Sequence, residues 1–379
     1  MNSIWFDRYY ETQKETLFKK SKVFVLTGPR QTGKTEIISK MISGFDGKVF
    51  TGTGDDMQLR EILSSENLKK ITSFFGNYDM IFVDEAQRIP MVGYGLKLLV
   101  DHTKDKKIIV TGSSSFGLSN KTAEPLTGRQ VVRKLFPMSV LELKNQFGAF
   151  YIHQMLEELL IFGSYPDVLK SSGKDEKEEY LFSIRDSYLL KDILELEQIK
   201  YSVKLFDLLK LLAFQIGHEV SLNELSNSLG IAKQSVERYL DLLEKAFVIK
   251  RVNGFSRNLR NEITKTSRYF FYDNGIRNAL INNFNDLKTR NDVGMLWENF
   301  LFIERLKTQE YKRIFSNNYF WRTYSKKEID FVEEREGKLY GFEFKYNKPK
   351  TKPPGLWKDT YPESEFQCIT KDNYLEFLT

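Results

Sequence analysis

Over the first 150 residues, short runs of consecutive apolar or β-branched residues alternate with segments of helical periodicity. Residues 23–26, 48–50, 80–83 and 107–110 are such runs, as expected of strands buried on both faces. The stretches between them have helix length, so this part is expected to be an α/β fold with a parallel sheet. Residues 151–200 read as mostly helical, broken at Gly163-Ser164-Tyr165-Pro166 and by the polar loop 171–175. From 205 to 250 the apolar positions Leu208, Leu211, Leu212, Leu222, Leu225, Leu229, Val236, Leu240 and Leu243 keep helical spacing. From about 285 a helix precedes strand-like alternation at 329–332 and 338–345, and 366–370 reads as a last strand. Four parts follow: an α/β core (1–150), a helical lid or linker (151–200), a winged helix-turn-helix (201–284) and a small α/β domain (285–379).

The first apolar run leads into Gly28-Pro29-Arg30-Gln31-Thr32-Gly33-Lys34-Thr35, which fits GxxxxGK[ST] at every position. In such a loop the glycines let backbone N–H groups turn toward phosphate oxygens. Lys34 would reach the β- and γ-phosphates, Thr35 would ligate Mg2+, and the helix from Glu36 would present its positive end. The run at 80–83 ends in Asp84-Glu85. Asp84 is the expected Mg2+ partner, and Glu85 is placed to polarise the attacking water, which favours hydrolysis of ATP over binding alone. The strand at 108–110 leads into Thr111-Gly112-Ser113, and Thr111 or Ser113 is the candidate sensor of the γ-phosphate.

Together GPRQTGKT, IFVDEAQRIP, VTGSSS and LTGRQ followed by LFPMSVLEL resemble a bacterial and archaeal branch of AAA-type ATPases. Members join this core to a C-terminal domain long catalogued as of unknown function. The resemblance implies a γ-phosphate-contacting arginine after the sensor strand. Arg129 stands at that position, acting in cis or across a subunit boundary, with Arg133 as its rival.

In the middle, Ser221 lies three residues before Glu224 as at a capped helix start, and Leu229-Gly230-Ile231 reads as the turn of a helix-turn-helix. The second helix, Lys233–Lys245, would be the recognition helix, with a wing strand at 247–251. Lys245, Lys250, Arg251, Arg257, Arg260, Lys265 and Arg268 cluster after it. Such a cluster can neutralise DNA phosphates, while winged helices also serve as protein-binding modules.

At the C-terminal end Glu298 falls on a helix, Asp330 in a strand, and Glu343 and Lys345 on one face of the next strand. Two carboxylates and a lysine suit phosphodiester hydrolysis, the acids holding Mg2+ and the lysine orienting the attacking water. The order resembles the restriction-endonuclease-like superfamily: an acidic helix residue, then Asp, then Glu-x-Lys. That resemblance implies a site of Glu298, Asp330, Glu343 and Lys345. Ile329 stands where the superfamily has a proline, and the domain either cuts or has kept its fold for binding alone. Three other features read as structural: the aromatic run 269–272 as a core strand, His218-Glu219 as a surface pair, and Trp297 as packing for its helix.

Composition narrows this picture without changing it. Among 379 residues, 41% are hydrophobic and 30 are Phe, which argues for packed cores throughout. The single cysteine, Cys368, excludes a disulfide within the chain and a Cys-rich zinc site, and the three histidines are scattered. A net charge of +6 is compatible with DNA but does not demand it. The N-terminal MNSIWFDRYYETQKE lacks a basic stretch followed by an apolar run, and no apolar run is long enough to span a bilayer. The expectation is a cytoplasmic, ATP- and Mg2+-dependent ATPase that acts on DNA, with possible homo-oligomerisation and a possible protein partner. The alternative is a nucleotide-dependent switch that binds DNA or protein without cutting.

Overall fold

The computed structural model describes residues 5–19, 22–103, 105–112, 126–187, 202–257, 266–348 and 352–379. The chain forms two compact units: Asp7–Pro137 with Lys245–Phe247, and the remainder.

The N-terminal unit runs α1 (Lys14–Leu17), β1 (Val23–Thr27), α2 (Lys34–Ile42), β2 (Val49–Thr53), α3 (Met57–Leu63), α4 (Leu68–Phe75), β3 (Met80–Asp84), α5 (Val92–His102), β4 (Lys107–Gly112) and β5 (Gln130–Lys134). Its sheet is parallel throughout, in the order β2-β3-β4-β1-β5. β1 is buried along its whole length, and β3 and β4 are buried except at one end residue. They are the three inner strands, so continuous apolar runs were their signature. β5 was not expected from sequence. It is an edge strand of alternating exposure with polar ends, and so lacks that signal. Val25, Ile81, Val83 and Val110 pack against Ile71 and Phe75 of α4 and Leu96 and Leu99 of α5.

The C-terminal unit opens with α6 (Val140–Phe147), α7 (Ala149–Phe162), α8 (Pro166–Lys170) and α9 (Lys174–Ile184). α6 starts in a full capping box, Ser139 with Glu142, which satisfies two backbone donors reciprocally. The breaks at 163–165 and 171–173 fall where Gly and Ser marked them, whereas Pro166 opens α8, and Lys174 and Asp175, expected in the loop, begin α9. Then come α10 (Ser202–Phe214), β6 (Glu219–Val220), α11 (Leu222–Leu229), α12 (Lys233–Lys245), β7 (Ile249–Gly254) and β8 (Ser267–Phe271). Three helices and three antiparallel strands are thus interleaved in this segment. Ser221 occupies the N-cap of α11, yet its side chain makes no cap hydrogen bond, so the expected capping is positional only. Gly230 ends α11 in a left-handed conformation at φ 63°. The aromatic run forms β8 and is buried throughout.

The last segment is α13 (Asn274–Leu280), α14 (Val293–Lys312), β9 (Asn317–Arg322), β10 (Glu328–Arg335), β11 (Lys338–Phe344), α15 (Gly355–Thr360), β12 (Glu365–Ile369) and α16 (Tyr374–Leu378). β9, β10 and β11 form an antiparallel meander, and β12 joins β11 in parallel. β7 pairs with β9 through Asn253↔Tyr319 and Gly254↔Phe320. The segment expected to be a winged helix and the C-terminal segment therefore share one seven-stranded sheet, β12-β11-β10-β9-β7-β8-β6. α14 covers one face, with Phe302 stacked on Phe270 at 4.2 Å and set edge-on to Phe331. Trp321, Trp357, Ile329, Val332, Leu339 and Tyr361 form another buried cluster, with α15 packed on it.

The turn between α7 and α8 is locked to the start of α13. Asp273 caps α13 through Ile276 N and also accepts from Ser164 N at 2.8 Å. Burial pushes this carboxyl up to about 6, against the pull of these N–H donors and of Lys307. Gly163 sits beside it at φ 74°, and a Cβ there would stand 2.0 Å from Asp273 Oδ1. Gly163→Ala is therefore expected to cost roughly 2–5 kcal/mol through steric overlap and backbone strain. Urea unfolding measures it, and an unchanged midpoint would contradict this packing.

Candidate active sites

The phosphate loop leaves β1 at Gly28, whose φ is 150°. A Cβ there would lie 1.9 Å from the Leu135 carbonyl oxygen, so only glycine fits between the loop and the chain beyond β5. Thr32 is fully buried, and its hydroxyl donates to Pro29 O at 2.9 Å, bracing the loop from inside. Gly33 caps α2 in a left-handed conformation, and Lys34 and Thr35 begin the helix. The Lys34 ammonium is folded onto the loop, donating to Gly28 O at 3.1 Å and Pro29 O at 2.7 Å. Burial lowers its pKa to about 8, although Glu85 and Asp84 pull the other way. Pro29, Arg30 and Gln31 complete the turn, Gln31 with φ 59°.

Thr35 donates to Asp84 Oδ2 at 2.7 Å, and Thr111 donates to the other oxygen of the same carboxylate. The loop threonine, the acid ending β3 and the polar residue of β4 thus meet at one point. β4 lies between β1 and β3, as a sensor strand should. A hydroxyl and a carboxylate side by side are hard oxygen donors that fit Mg2+. Glu85 follows in a left-handed conformation at φ 49°, with its N–H 3.1 Å from Asp84 Oδ1 and its carboxylate accepting from the Gln87 amide. Ser113, the other sensor candidate, lies outside the described residues.

Arg129 does not join this site in its own chain. Its carbonyl accepts from Val23 N at the start of β1, whereas the phosphate loop follows the other end of that strand. Five residues at about 3.3 Å each separate them. Its guanidinium is paired with Asp101 at 2.6 Å. The reason is topological: in a parallel sheet, ligands bind beyond the carboxyl ends of the strands, and Arg129 precedes the amino end of β5. Arg133, aligned with Leu26, lies toward the phosphate end. Sequence reasoning missed Arg8. It is buried and donates to Thr32 O of the loop and to Phe136 O. No spacing or motif marks a lone arginine near an N-terminus.

In the C-terminal unit, Asp330, Glu343 and Lys345 come together. The Lys345 ammonium is 3.0 Å from Glu343 Oε1 and 3.6 Å from Asp330 Oδ2. Phe344 N donates to Asp330 Oδ2 at 2.8 Å, tying the two strands at the site. Burial, and then the charge of Asp330, pushes Glu298 up to about 8, which places this α14 residue in the same electrostatic neighbourhood. Burial and the charge of Glu343 push Asp330 up to about 6. Burial works against the charge on Lys345, yet the surrounding carboxylates hold its pKa above the ordinary lysine value. Among the described residues no group of three or more acidic, His or Cys side chains stands close enough to cage a metal. The Asp330–Glu343 pair alone is the fit for Mg2+, which takes one or two carboxylates and keeps its waters.

The expected basic cluster is largely neutralised where it is described. Lys250 pairs with Glu244, Arg257 with Glu334 and Arg268 with Glu328, while Arg251 donates to Ser267. Arg260 and Lys265 lie outside the described residues. The exposed positions of α12 include Lys233, Glu237, Arg238 and Asp241, two charges of each sign. Glu219 pairs with Arg322 rather than with His218. Trp297 is fully buried, as its packing role requires.

The parallel sheet with β4 between β1 and β3, the glycine-rich loop opening α2, and the Thr35–Asp84 contact define a P-loop ATPase fold. Residues 20–144 match the family model described as AAA domain, so the N-terminal unit carries an AAA-type ATPase domain. Residues 153–287 and 293–360 match two models each described as a domain of unknown function. An uncharacterized protein of Mycobacterium tuberculosis is 26% identical over 331 residues, spanning 86% of this chain and 70% of its own. One from Haemophilus influenzae is 28% identical over 287 residues, spanning 72% and 64%. Among solved structures, the Walker-type ATPase of Pyrococcus abyssi aligns with 73% of this chain and 96% of its own at 18% identity and a TM-score of 0.47. Among the described residues no helix is long and apolar enough to cross a membrane.

Proposed function

We propose that this chain hydrolyses ATP in its N-terminal unit and cleaves phosphodiester bonds of DNA in its C-terminal unit. For hydrolysis, the backbone N–H groups of residues 28–35 and the start of α2 receive the phosphates, and Lys34 leaves its two loop carbonyls to meet them. Thr35 and Asp84 are the residues that would hold Mg2+, which neutralises charge on the phosphates when bound. Glu85 orients and polarises the attacking water, and Thr111 reports on the γ-phosphate through Asp84.

For cleavage, the single observation that carries the reading is the Lys345 ammonium held between Asp330 and Glu343, with Glu298 in the same field. Two acids and a lysine on adjacent strands supply a phosphate-binding cation beside carboxylates that can hold a divalent ion. Glu298 on α14, Asp330 on β10, and Glu343 with Lys345 on and just after the neighbouring β11 follow the order of the acidic helix residue, Asp and Glu-x-Lys on which the reading rests. The test is incubation of single-stranded, duplex and branched DNA with Mg2+ or Mn2+, with and without ATP, beside Asp330→Ala and Lys345→Ala. Cutting by the wild type that drops at least ~100-fold in both variants is expected. Undiminished cutting by the variants, or none by the wild type, contradicts this half of the reading.

A second reading, a nucleotide switch that binds a protein partner without cutting, draws on the balanced charges of α12 and the ion pairs of Lys250, Arg257 and Arg268. A charge-compensated face suits a protein surface better than a polyanion.

A further inference from the structure

The shared sheet brings a strand of the winged segment to the edge of the C-terminal acid cluster. Arg268, on β8, is 4% exposed, and its guanidinium lies over the Phe320 ring of β9 at 4.5 Å. Its Nη2 donates to Glu328 of β10 at 2.9 Å. Its Nε is buried and has no hydrogen-bond partner among the described residues. Arg268 also attracts the carboxylates of both Glu298 and Asp330. The loop preceding β6 lies against the same cluster, since a Cβ added at Gly217 would stand 3.2 Å from Glu298 Oε2.

A buried arginine serving only as a structural strut ordinarily has its donors matched by carboxylates or carbonyls. Arg268 instead spends one nitrogen on a half-exposed glutamate and leaves another buried donor unmatched. The unmatched donor is part of a planar fork, and forks of this kind fit phosphate bidentately. β8 lies inside the sheet, between β7 and β6, and the Phe320 ring fixes the guanidinium plane, so the group is held in place before any ligand arrives.

We propose that Arg268 is a phosphate-binding residue of the C-terminal site, contributed by the winged segment to the DNA backbone held there. The proposal rests on the reading of Glu298, Asp330, Glu343 and Lys345 as a phosphodiester site. In it the winged segment serves as a wall of that site. Glu328 acts as a stand-in that occupies Arg268 until a phosphate displaces it.

The test measures binding of a fluorescein-labelled duplex DNA in Ca2+, without Mg2+, across a range of salt. Wild type, Arg268→Gln, Arg268→Lys and Glu328→Gln are compared, each first shown to be folded by thermal unfolding. Arg268→Gln is expected to weaken binding about tenfold and to lower the slope of log affinity against log salt by about one. Arg268→Lys should keep the slope while losing part of the affinity. Glu328→Gln should bind as well as the wild type or better, because it removes the competitor. A strut role predicts the opposite, with Glu328→Gln as damaging as Arg268→Gln. That result overturns the proposal, as does an unchanged slope in Arg268→Gln or a wild type that does not bind. Cleavage in Mg2+ by a wild type whose Arg268→Gln variant binds normally would sink Arg268 alone. A lowered slope in Arg268→Gln without cleavage by the wild type would sustain Arg268 and remove the cutting.

Discussion

Replacing Lys34 by alanine is expected to weaken ATP binding at least about 100-fold. The lysine is buried, and its ammonium donates to two carbonyls of the loop it would leave when phosphates arrive. Truncation removes a charge-assisted contact to the β- and γ-phosphates, and hydrogen bonds to charged groups contribute about 1.5–3 kcal/mol each. It also leaves the Gly28 and Pro29 carbonyls without that donor. Calorimetric titration with ATP reads the loss directly, and the unfolding midpoint separates it from a folding defect. Affinity within threefold of wild type would mean that the loop does not hold a triphosphate.

Glu85→Gln is the second large effect, and it splits binding from chemistry. The side chain is nearly isosteric and keeps its hydrogen-bonding reach, so ATP affinity should be retained. Hydrolysis should fall by roughly 100- to 10,000-fold, the span that positioned acid–base groups contribute. The backbone argues for a dedicated role. Glu85 sits at φ 49°, a left-handed conformation that costs a non-glycine residue about 1–3 kcal/mol and persists where the surroundings enforce it. Its N–H is tied to Asp84, and its carboxylate to Gln87. Rapid-quench measurement of phosphate release under single-turnover conditions tests the split. A wild-type rate in Glu85→Gln would transfer the water-activating role elsewhere.

The inner strands of the N-terminal sheet were legible in sequence because burial on both faces writes a continuous apolar run. β5 was illegible for the converse reason, and without it the place of Arg129 in its own chain could not be read. Without the strand, nothing in the sequence says which end of the sheet that arginine occupies. The Thr35–Asp84–Thr111 cluster was legible because fixed spacings from strand ends carry it. Arg8 was not, since its contact with Thr32 O spans 24 positions and has no local pattern. In the C-terminal half, strand alternation placed Glu343 and Lys345 on one face, and the β10–β11 hairpin brought Asp330 to them. The continuity of the sheet could not be read, because it depends on two residue pairs between β7 and β9 that lie far apart in sequence. The same continuity decides that Arg268, which sequence reasoning grouped with a surface cluster, is buried and paired with Glu328 of β10.

In the proposed function the N-terminal unit turns over ATP with the residues gathered at the end of β1, β3 and β4. Steady-state release of phosphate from ATP tests it most directly, with wild type, Lys34→Ala and Glu85→Gln measured in Mg2+ and again after chelation with EDTA. Release by the wild type in Mg2+, none in EDTA, and near-complete loss in both variants are expected. No release by folded wild-type protein in Mg2+, or release that survives either substitution, would contradict it.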